Sequence, residues 1–204
     1  MKLIYSLIAS LVLCSVPLLA EPVDMNFGGP FLSGGLLVGQ SDVAGGDVTP
    51  GQSFGLGGEL GFVAKRDTWN RLEFGLDLAS TALSFKSKSG PSVETDLNMK
   101  QALLKVGYGY SLGQNVFALV RAGAGLAFGD YEVSDSGSSV SSDASAVVSM
   151  LGADIVYPVS EHMEFVLGAQ MRILNTSVDD IAGQSVDSFQ VNQLLVLAQT
   201  RLKI

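Results

Sequence analysis

Charged side chains recur on one parity of several extended apolar segments, so they would share one face of a sheet built from those segments. The set contains five acids and six bases: Glu59, Glu73, Asp77, Asp154, Glu164, Arg71, Lys105, Arg121, Arg172, Arg201 and Lys203. If that face is enclosed, ions of opposite sign must pair or be hydrated, because an isolated buried ion costs several kcal/mol. We therefore predict an ion-pair network, with these residues at its centre: Glu59, Asp77, Lys105, Arg121 and Arg172.

The residue types needed for nucleophilic catalysis occur together only once. The single histidine, His162, follows Ser160 and Glu161 directly. Neighbouring side chains of an extended segment point apart, so these three do not converge on one reacting atom as a nucleophile, base and acid must. The acids between the apolar segments also lack the spacing of a calcium-binding loop. We expect no catalytic residue, no cofactor and no metal site.

The composition excludes several classes of protein. The 204 residues include 24 glycines, 47% are hydrophobic, 16% are charged, and the formal net charge is −8. No apolar run as long as the roughly 18 residues of a membrane-spanning helix follows residue 20, and the hydrophobicity is too high for disorder. The glycine content disfavours a helical fold, and the acidic charge argues against nucleic acid as a partner.

Residues 1–20 have the organisation of a secretory signal peptide. Lys2 precedes an apolar segment, and Ala20 is a small residue at its exit. We predict a signal peptide over 1–20, a periplasmic tail over 21–30 and a single folded domain over 31–204. The only cysteine, Cys14, falls within the predicted signal peptide, so we expect no disulfide and no cysteine–metal site.

Apolar residues alternate with small or charged ones over most of this domain, which is the pattern of strands with one apolar face. Eight segments carry it: Phe31–Ser41, Phe54–Ala64, Arg71–Leu78, Gln101–Tyr110, Val116–Phe128, Val147–Tyr157, Met163–Ile173 and Gln193–Ile204. The bulky parity is largely uncharged, whereas the other parity holds the glycines and both signs of charge. That arrangement favours bulky side chains facing lipid and small or charged ones facing a lumen.

Open sheet edges do not occur in hydrocarbon, so we predict an all-β fold: an eight-stranded antiparallel up-and-down transmembrane β-barrel. The interior of an eight-stranded barrel is just wide enough to be filled by side chains. The charged residues then have two interpretations. They form a structural salt-bridge network that plugs the lumen, or they line a narrow ion path.

The connections between the segments alternate in length, which predicts the orientation. The short ones span 65–70, 111–115 and 158–162, and the long ones span 42–51, 86–95, 129–143 and 175–187. Short periplasmic turns and long outer loops are typical of outer-membrane barrels, so both termini are predicted to be periplasmic. The serine-rich stretch Asp135–Ser145 is predicted to be a mobile loop. An aromatic girdle is predicted beside the short turns, at Trp69, Tyr108, Tyr110 and Tyr157.

With its signal peptide, strand count, alternation and loop asymmetry, the chain resembles the small eight-stranded outer-membrane β-barrels of the OmpA and OmpX type. The resemblance covers Phe31 to Ile204 and implies a location in the outer membrane of a Gram-negative bacterium. Because eight strands can close within one chain, we expect a monomer. The resemblance also implies contact with outer-membrane lipid and lipopolysaccharide, and with the barrel-assembly machinery during biogenesis. The chain departs from the family at its end, Arg201-Leu202-Lys203-Ile204, where relatives usually carry an aromatic residue.

The predicted function is a non-enzymatic integral outer-membrane barrel with a plugged polar lumen, in a structural or surface-interaction role. The predicted long loops, with the strand-edge residue Asp96, hold eleven acids against Lys86 and Lys88, so the outer surface is expected to be acidic. The first alternative is a narrow channel for small or hydrophobic solutes, a porin-like barrel of the OmpW kind. The second is an enzyme acting on outer-leaflet lipid, for which His162 lies at the wrong end.

Overall fold

The computed structural model describes residues 28–46, 48–66, 69–87, 94–113, 116–135, 138–178 and 188–204. The predicted signal peptide, residues 21–27 of the predicted tail, and some loop positions lie outside these ranges: Asp47, Lys88, Asp179, Asp180 and Asp187. Within the described ranges, no helix is long and apolar enough to cross a membrane.

The described chain folds into β-strands that follow the predicted alternation. In chain order they are β1 Gly29–Val43, β2 Val48–Thr49, β3 Gly51–Arg66, β4 Asn70–Ser87, β5 Glu94–Gly113, β6 Val116–Asp135, β7 Ser138–Pro158, β8 Met163–Val178 and β9 Phe189–Lys203. The first strand begins two residues before the predicted domain start at Phe31. Eight of the nine strands are long, and β2 is a two-residue element that pairs only with the far end of β4.

The eight long strands form a closed antiparallel ring. Each pairs with its neighbour in sequence from β3 to β9, and β1 pairs with both β3 and β9. The predicted all-β, eight-stranded, up-and-down barrel is thus confirmed. We call the end where β1 begins and β9 ends the base, and the opposite end the rim. The base also holds the segments that join β3 to β4, β5 to β6 and β7 to β8.

The strand register sets the width of the barrel. A path through paired residues leaves β1 at Ser33 and returns to it at Val43, ten residues nearer the rim. It passes Glu59, Asp77, Leu103, Gly125, Val148, Leu174 and Val191. At ordinary strand spacings this shear corresponds to a strand tilt of about 41° and a backbone radius of about 8 Å. The lumen is therefore narrow enough for side chains from opposite walls to meet.

Burial alternates along each strand, because successive side chains point to opposite faces. Inward side chains are buried, while large apolar side chains cover the outside in an apolar belt. The belt has at least one member on every long strand: Leu36, Leu56, Leu76, Leu104, Leu126, Leu151, Met171 and Leu194. An apolar exterior around a closed ring is the arrangement that a bilayer requires.

One predicted loop is a pair of strands instead. The prediction of a long connection over 129–143 is wrong, since β6 continues to Asp135 and β7 begins at Ser138. Serine and aspartate have low strand propensity, but the ladder begun deeper in the barrel continues through them. Its outer part carries the cross-strand pair Val133 and Val140 and the ring contact of Tyr131 with Phe189, whose centroids lie 5.8 Å apart.

The extended hairpin makes one side of the barrel taller than the other. Strands β4 to β7 have 18, 20, 20 and 21 residues, whereas β1, β3, β8 and β9 have 15 or 16. Only about 9–11 residues of tilted strand are needed to cross a bilayer. The rim portions of β4 to β7, which we call the tall wall, therefore project beyond the apolar belt.

The belt predicts where charge is tolerated on the outer face of one strand. Leu104, in the middle of the belt, is 72% exposed, so we expect Leu104→Arg to lower the free energy of unfolding in phospholipid vesicles by about 2–4 kcal/mol. Asn98 lies on the same face of β5 but six residues nearer the rim, and Asn98→Arg should cost at most about 1 kcal/mol. Urea titration of both variants measures the difference, and equal effects would contradict a lipid-facing belt.

Candidate functional site

The five residues predicted as the centre of a lumen network lie together inside the barrel. Lys105 Nζ is 2.9 Å from Glu59 Oε2 and 3.3 Å from Asp77 Oδ1. Arg121 Nη1 donates to Glu59 Oε2 at 2.8 Å, and Arg172 Nη2 donates to Asp77 Oδ2 at 2.8 Å. Four strands thereby contribute to one continuous group of ion pairs, and Arg172 joins it from a fifth.

The charged residues nearer the base extend this group. Arg71 donates two parallel hydrogen bonds to Glu164, at 2.7 and 2.6 Å, the bidentate geometry that makes arginine–carboxylate pairs strong. Arg71 also pairs with Glu73. Arg201 Nη1 lies 2.8 Å from Glu73 and 3.4 Å from Glu164, and Lys203 Nζ lies 3.2 Å from Glu164.

Arg121 joins the two groups. Its Nη2 donates to Glu73 Oε2 at 2.7 Å, and its Nε lies 2.6 Å from Asp154 Oδ2 as an ion pair without hydrogen-bond alignment. All eleven charged residues of the inward parity therefore form one connected set, which we call the charged network. Each is at most 9% exposed. With six bases and five acids, the charged network has a formal charge of +1.

Three neutral side chains complete the charged network at the end nearer the rim. Arg172 Nη1 donates to Gln101 Oε1 at 2.7 Å, and Gln101 Nε2 donates to Thr81 Oγ1 at 2.8 Å. Gln170 Oε1 also accepts from Arg172, at 3.0 Å. The sequence prediction missed these three because it counted only charged residues, although they share the inward parity with the charges.

Aromatic rings close the charged network on the base side. The guanidinium carbon of Arg201 lies 3.9 Å from the ring centroid of Phe31, and that of Arg71 lies 5.8 Å from the ring centroid of Phe117. Both rings are at most 1% exposed. A cation over an aromatic face is stabilised by the ring quadrupole, and more so when desolvated. The two rings thus shield the guanidinium groups from water and also stabilise their charge.

Inward glycines provide the space that the charged side chains occupy. A Cβ atom at Gly75 would overlap the carboxylate of Glu59, and one at Gly168 would overlap the carboxylate of Asp154. In each case the glycine stands on the neighbouring strand. The alternating glycines in the sequence therefore record close packing inside the lumen.

A second layer, which is mainly apolar, occupies the lumen on the rim side of the charged network, where Ser41, Ser53 and Thr176 are also buried. We call it the apolar cluster, and its members are Leu83, Phe85, Leu97, Met99, Leu103, Ala127, Ala144, Ala146, Val148, Met150, Leu174, Val178 and Val191. All are at most 8% exposed. The lumen was predicted to be polar, but the described lumen is polar mainly in the half nearer the base. The inward parity of β5 already signals the change, because it holds Leu97, Met99 and Leu103 before Lys105.

The four residues predicted as an aromatic girdle all lie near the base. Trp69 and Tyr110 stack with ring centroids 6.2 Å apart, and the Tyr108 hydroxyl donates to Asn70 Oδ1 at 2.6 Å. These three aromatic side chains are exposed on the outside of the barrel. Tyr157 lies apart from them on β7, where it is partly buried.

Two further groups of residues bear on catalysis and metal binding, the lumen carboxylates and the turn that holds the single histidine. The carboxylates of the lumen face arginines and lysines. Ser160, Glu161 and His162 are exposed at the base, where the His162 backbone N–H donates to Ser160 Oγ at 3.3 Å. No group of three or more histidine, cysteine, aspartate or glutamate side chains is arranged to hold a metal ion in the described part of the chain.

The chain is similar to one protein family and to several proteins of known structure. Residues 6–195 match the family model described as outer membrane protein beta-barrel domain. Neisserial surface protein A (NspA) is 16% identical, with coverage of 87% of this chain and 99% of that one and a TM-score of 0.54. Ail, the attachment invasion locus protein of Yersinia pestis, is 15% identical over 87% and 99%, with a TM-score of 0.46. The outer membrane protease OmpT from Escherichia coli is 9% identical over 87% and 96%, with a TM-score of 0.48. No curated protein matches the chain.

The charged network predicts an unequal response to loss of two glutamates. Glu73 contacts Arg71, Arg121 and Arg201, so Glu73→Gln leaves buried cations undercompensated and should lower the free energy of unfolding by about 3–5 kcal/mol. Glu94→Gln is the matched control, because exposed Glu94 faces Lys86 at 3.5 Å and accepts a hydrogen bond from Ser84 at 3.2 Å, and exposed pairs of this kind contribute about 0–1 kcal/mol. Urea unfolding in micelles compares the two, and a similar small change in both would refute the network's structural role.

Proposed function

Since the chain belongs to the outer membrane protein β-barrel domain family, we propose that it is a non-conducting, non-enzymatic barrel whose rim is its working surface. Membership places the chain among proteins of the bacterial outer membrane. The proposal concerns what this barrel does there: it presents an acidic, strand-built surface at the rim and keeps its lumen closed.

The observation that carries the proposal is the filling of the lumen by two layers in series. The charged network occupies the base side, and the apolar cluster occupies the rim side. A hydrated ion would have to displace paired charges from one layer and then cross an apolar layer, in which an unpaired charge is costly. A backbone radius of about 8 Å leaves little room beside these side chains.

The orientation follows from the shape of the two ends. Short periplasmic turns and longer outer extensions are usual in this class of barrel, so we assign the base to the periplasm and the tall wall to the cell surface. The exposed turn Ser160–His162 then faces the periplasm, away from outer-leaflet lipid. That placement favours a non-enzymatic role.

The tall wall has the charge of an interaction surface. Its outward face carries Asp96 directly opposite Glu132 and Asp130 directly opposite Asp143. Like charges in cross-strand register destabilise a sheet, and water must screen them. A surface of this sign favours basic partners and disfavours nucleic acid and other polyanions. Closure of the ring within one chain supports a monomer, assembled like other barrels by the barrel-assembly machinery.

Bilayer recordings test whether the lumen is closed. We expect no conductance steps from the wild-type barrel, and none from Arg121→Ala, because the apolar cluster still fills the lumen when the charged network is weakened. A porin reconstituted in the same bilayers controls for insertion and sensitivity. Discrete conductance steps in the wild type, with a different step size in Arg121→Ala, would contradict this proposal and support the channel alternative.

Thiol labelling of intact cells tests the orientation. Ser141 on the tall wall and Ser160 at the base are both exposed, and Cys14 is the only native cysteine. In a Cys14→Ser background, Ser141→Cys should react with a PEG-maleimide too large to pass porins. Ser160→Cys should react only after the outer membrane is permeabilised. The reverse pattern would invert the barrel, and labelling of neither variant before permeabilisation would remove the tall wall from the surface.

A further inference from the structure

One cation on the outside of the barrel, on its rim half, has no anionic partner among the described residues. Lys100 lies on the outward face of β5, where its register partners are Ser80 on β4 and Phe128 on β6. It is exposed and forms no ion pair with any described residue. The other outward lysine described on this half, Lys86, is paired with Glu94 at 3.5 Å.

Two adjoining grooves meet at Lys100. The groove toward the base has a volume of about 390 Å³ and is lined by apolar side chains, including Leu78, Leu126 and Phe128. The groove toward the rim has a volume of about 490 Å³ and is lined by polar groups that include Ser80, Asn98 and Ser145. Lys100 and Phe128 line both grooves. The ammonium group therefore stands where the apolar belt gives way to a polar surface.

This juxtaposition has the chemistry of a lipid site with a phosphate headgroup. A lysine at the edge of an apolar surface lays its stem on that surface and extends its charge toward the polar side. An ammonium group is a compact charge suited to a phosphate. The hydroxyls of Ser80 and Ser145 and the amide of Asn98 can donate further hydrogen bonds, while the apolar groove can hold an acyl chain.

We propose that Lys100 and these two grooves bind a phosphorylated, acylated lipid of the outer leaflet, with its phosphate on Lys100 and an acyl chain along Leu78, Leu126 and Phe128. The proposal rests on the proposed function for one point, the orientation that places the rim in the outer leaflet. The lipid would occupy a defined binding site on the barrel, in addition to the lipids that surround the whole apolar belt.

Nearby carboxylates define how the lipid is held. Asp130 and Asp143 also line the groove toward the rim, and their charge disfavours an anion at that end. The phosphate therefore sits beside Lys100, at the boundary of the two grooves and away from these carboxylates. Free phosphate lacks the acyl contacts that offset this repulsion, so the site distinguishes a phospholipid-like ligand from the inorganic anion.

Lipid binding to the purified full-length barrel in detergent micelles tests the proposal. Native mass spectrometry with monophosphorylated lipid A should give an affinity about tenfold lower for Lys100→Gln than for wild type, with Lys100→Arg close to wild type. Lys86→Gln is the matched control and should bind as wild type does. Equal binding by wild type and Lys100→Gln, or equal losses in Lys100→Gln and Lys86→Gln, would overturn the proposed site.

Two ligand controls separate the sources of affinity. Dephosphorylated lipid A should bind wild type as weakly as the phosphorylated lipid binds Lys100→Gln, and inorganic phosphate alone should not compete at millimolar concentration. Competition by free phosphate at that level would overturn the lipid assignment. Because micelles have no leaflets, this assay is independent of orientation, whereas thiol labelling measures orientation alone. Failure of the lipid site and failure of the proposed function are therefore distinguishable.

Discussion

In hydrocarbon every backbone N–H and C=O group must find its partner within the protein, and the rest of this structure depends on that constraint. The chain satisfies it with eight long strands whose first and last members pair, from Phe31 opposite Lys203 to Val43 opposite Val191. Closure with a shear of ten residues leaves a backbone radius of about 8 Å. A lumen of that width must be packed, so the inward residues obey the size limits of a protein core. Gly75 and Gly168 are small for this reason, since the carboxylates of neighbouring strands occupy their side-chain space.

The buried ion pairs of the lumen in turn favour a single register of the strands. Arg172 and Met171 are consecutive on β8, with the arginine fully buried and the methionine 46% exposed to the outside. A slip of one residue would exchange these positions, placing a guanidinium in lipid and removing the arginine partner of Asp77. Buried ion pairs add little net stability when intact, but a wrong register would break several at once. The charged network therefore penalises misregistration more strongly than an apolar filling would.

The alternation of side chains along a strand explains how much of the lumen could be predicted from the sequence alone. Side-chain alternation is local, so it identified all eleven members of the charged network, including residues as distant in sequence as Glu59 and Arg201. Gln101 and Thr81 share the inward parity, but only the strand register shows that they lie at the level of Arg172 across the barrel. The strand ends of β6 and β7 were missed because backbone pairing there outweighs the low propensity of serine and aspartate. The apolar cluster was not predicted, although the inward parity of β5 holds Leu97, Met99 and Leu103, because the prediction considered only the charged members of that parity.

The placement of charge along the barrel axis follows the local dielectric. In the lumen, where charge interactions are strong, acids and bases are paired and nearly balanced. At the rim, Asp130 and Asp143 face each other directly. In water the repulsion between two unit charges at about 4 Å is only about 1 kcal/mol, whereas it would be much larger in a buried site. Between these regimes the belt and the apolar cluster are essentially uncharged. Lys100 lies at that boundary on the outer surface. Its ammonium group is exposed and has no anionic partner among the described residues, so a nearby anion would stabilise it. A cation in that position is stabilised most by an anion at the same depth, which is where the phosphate groups of a bilayer lie.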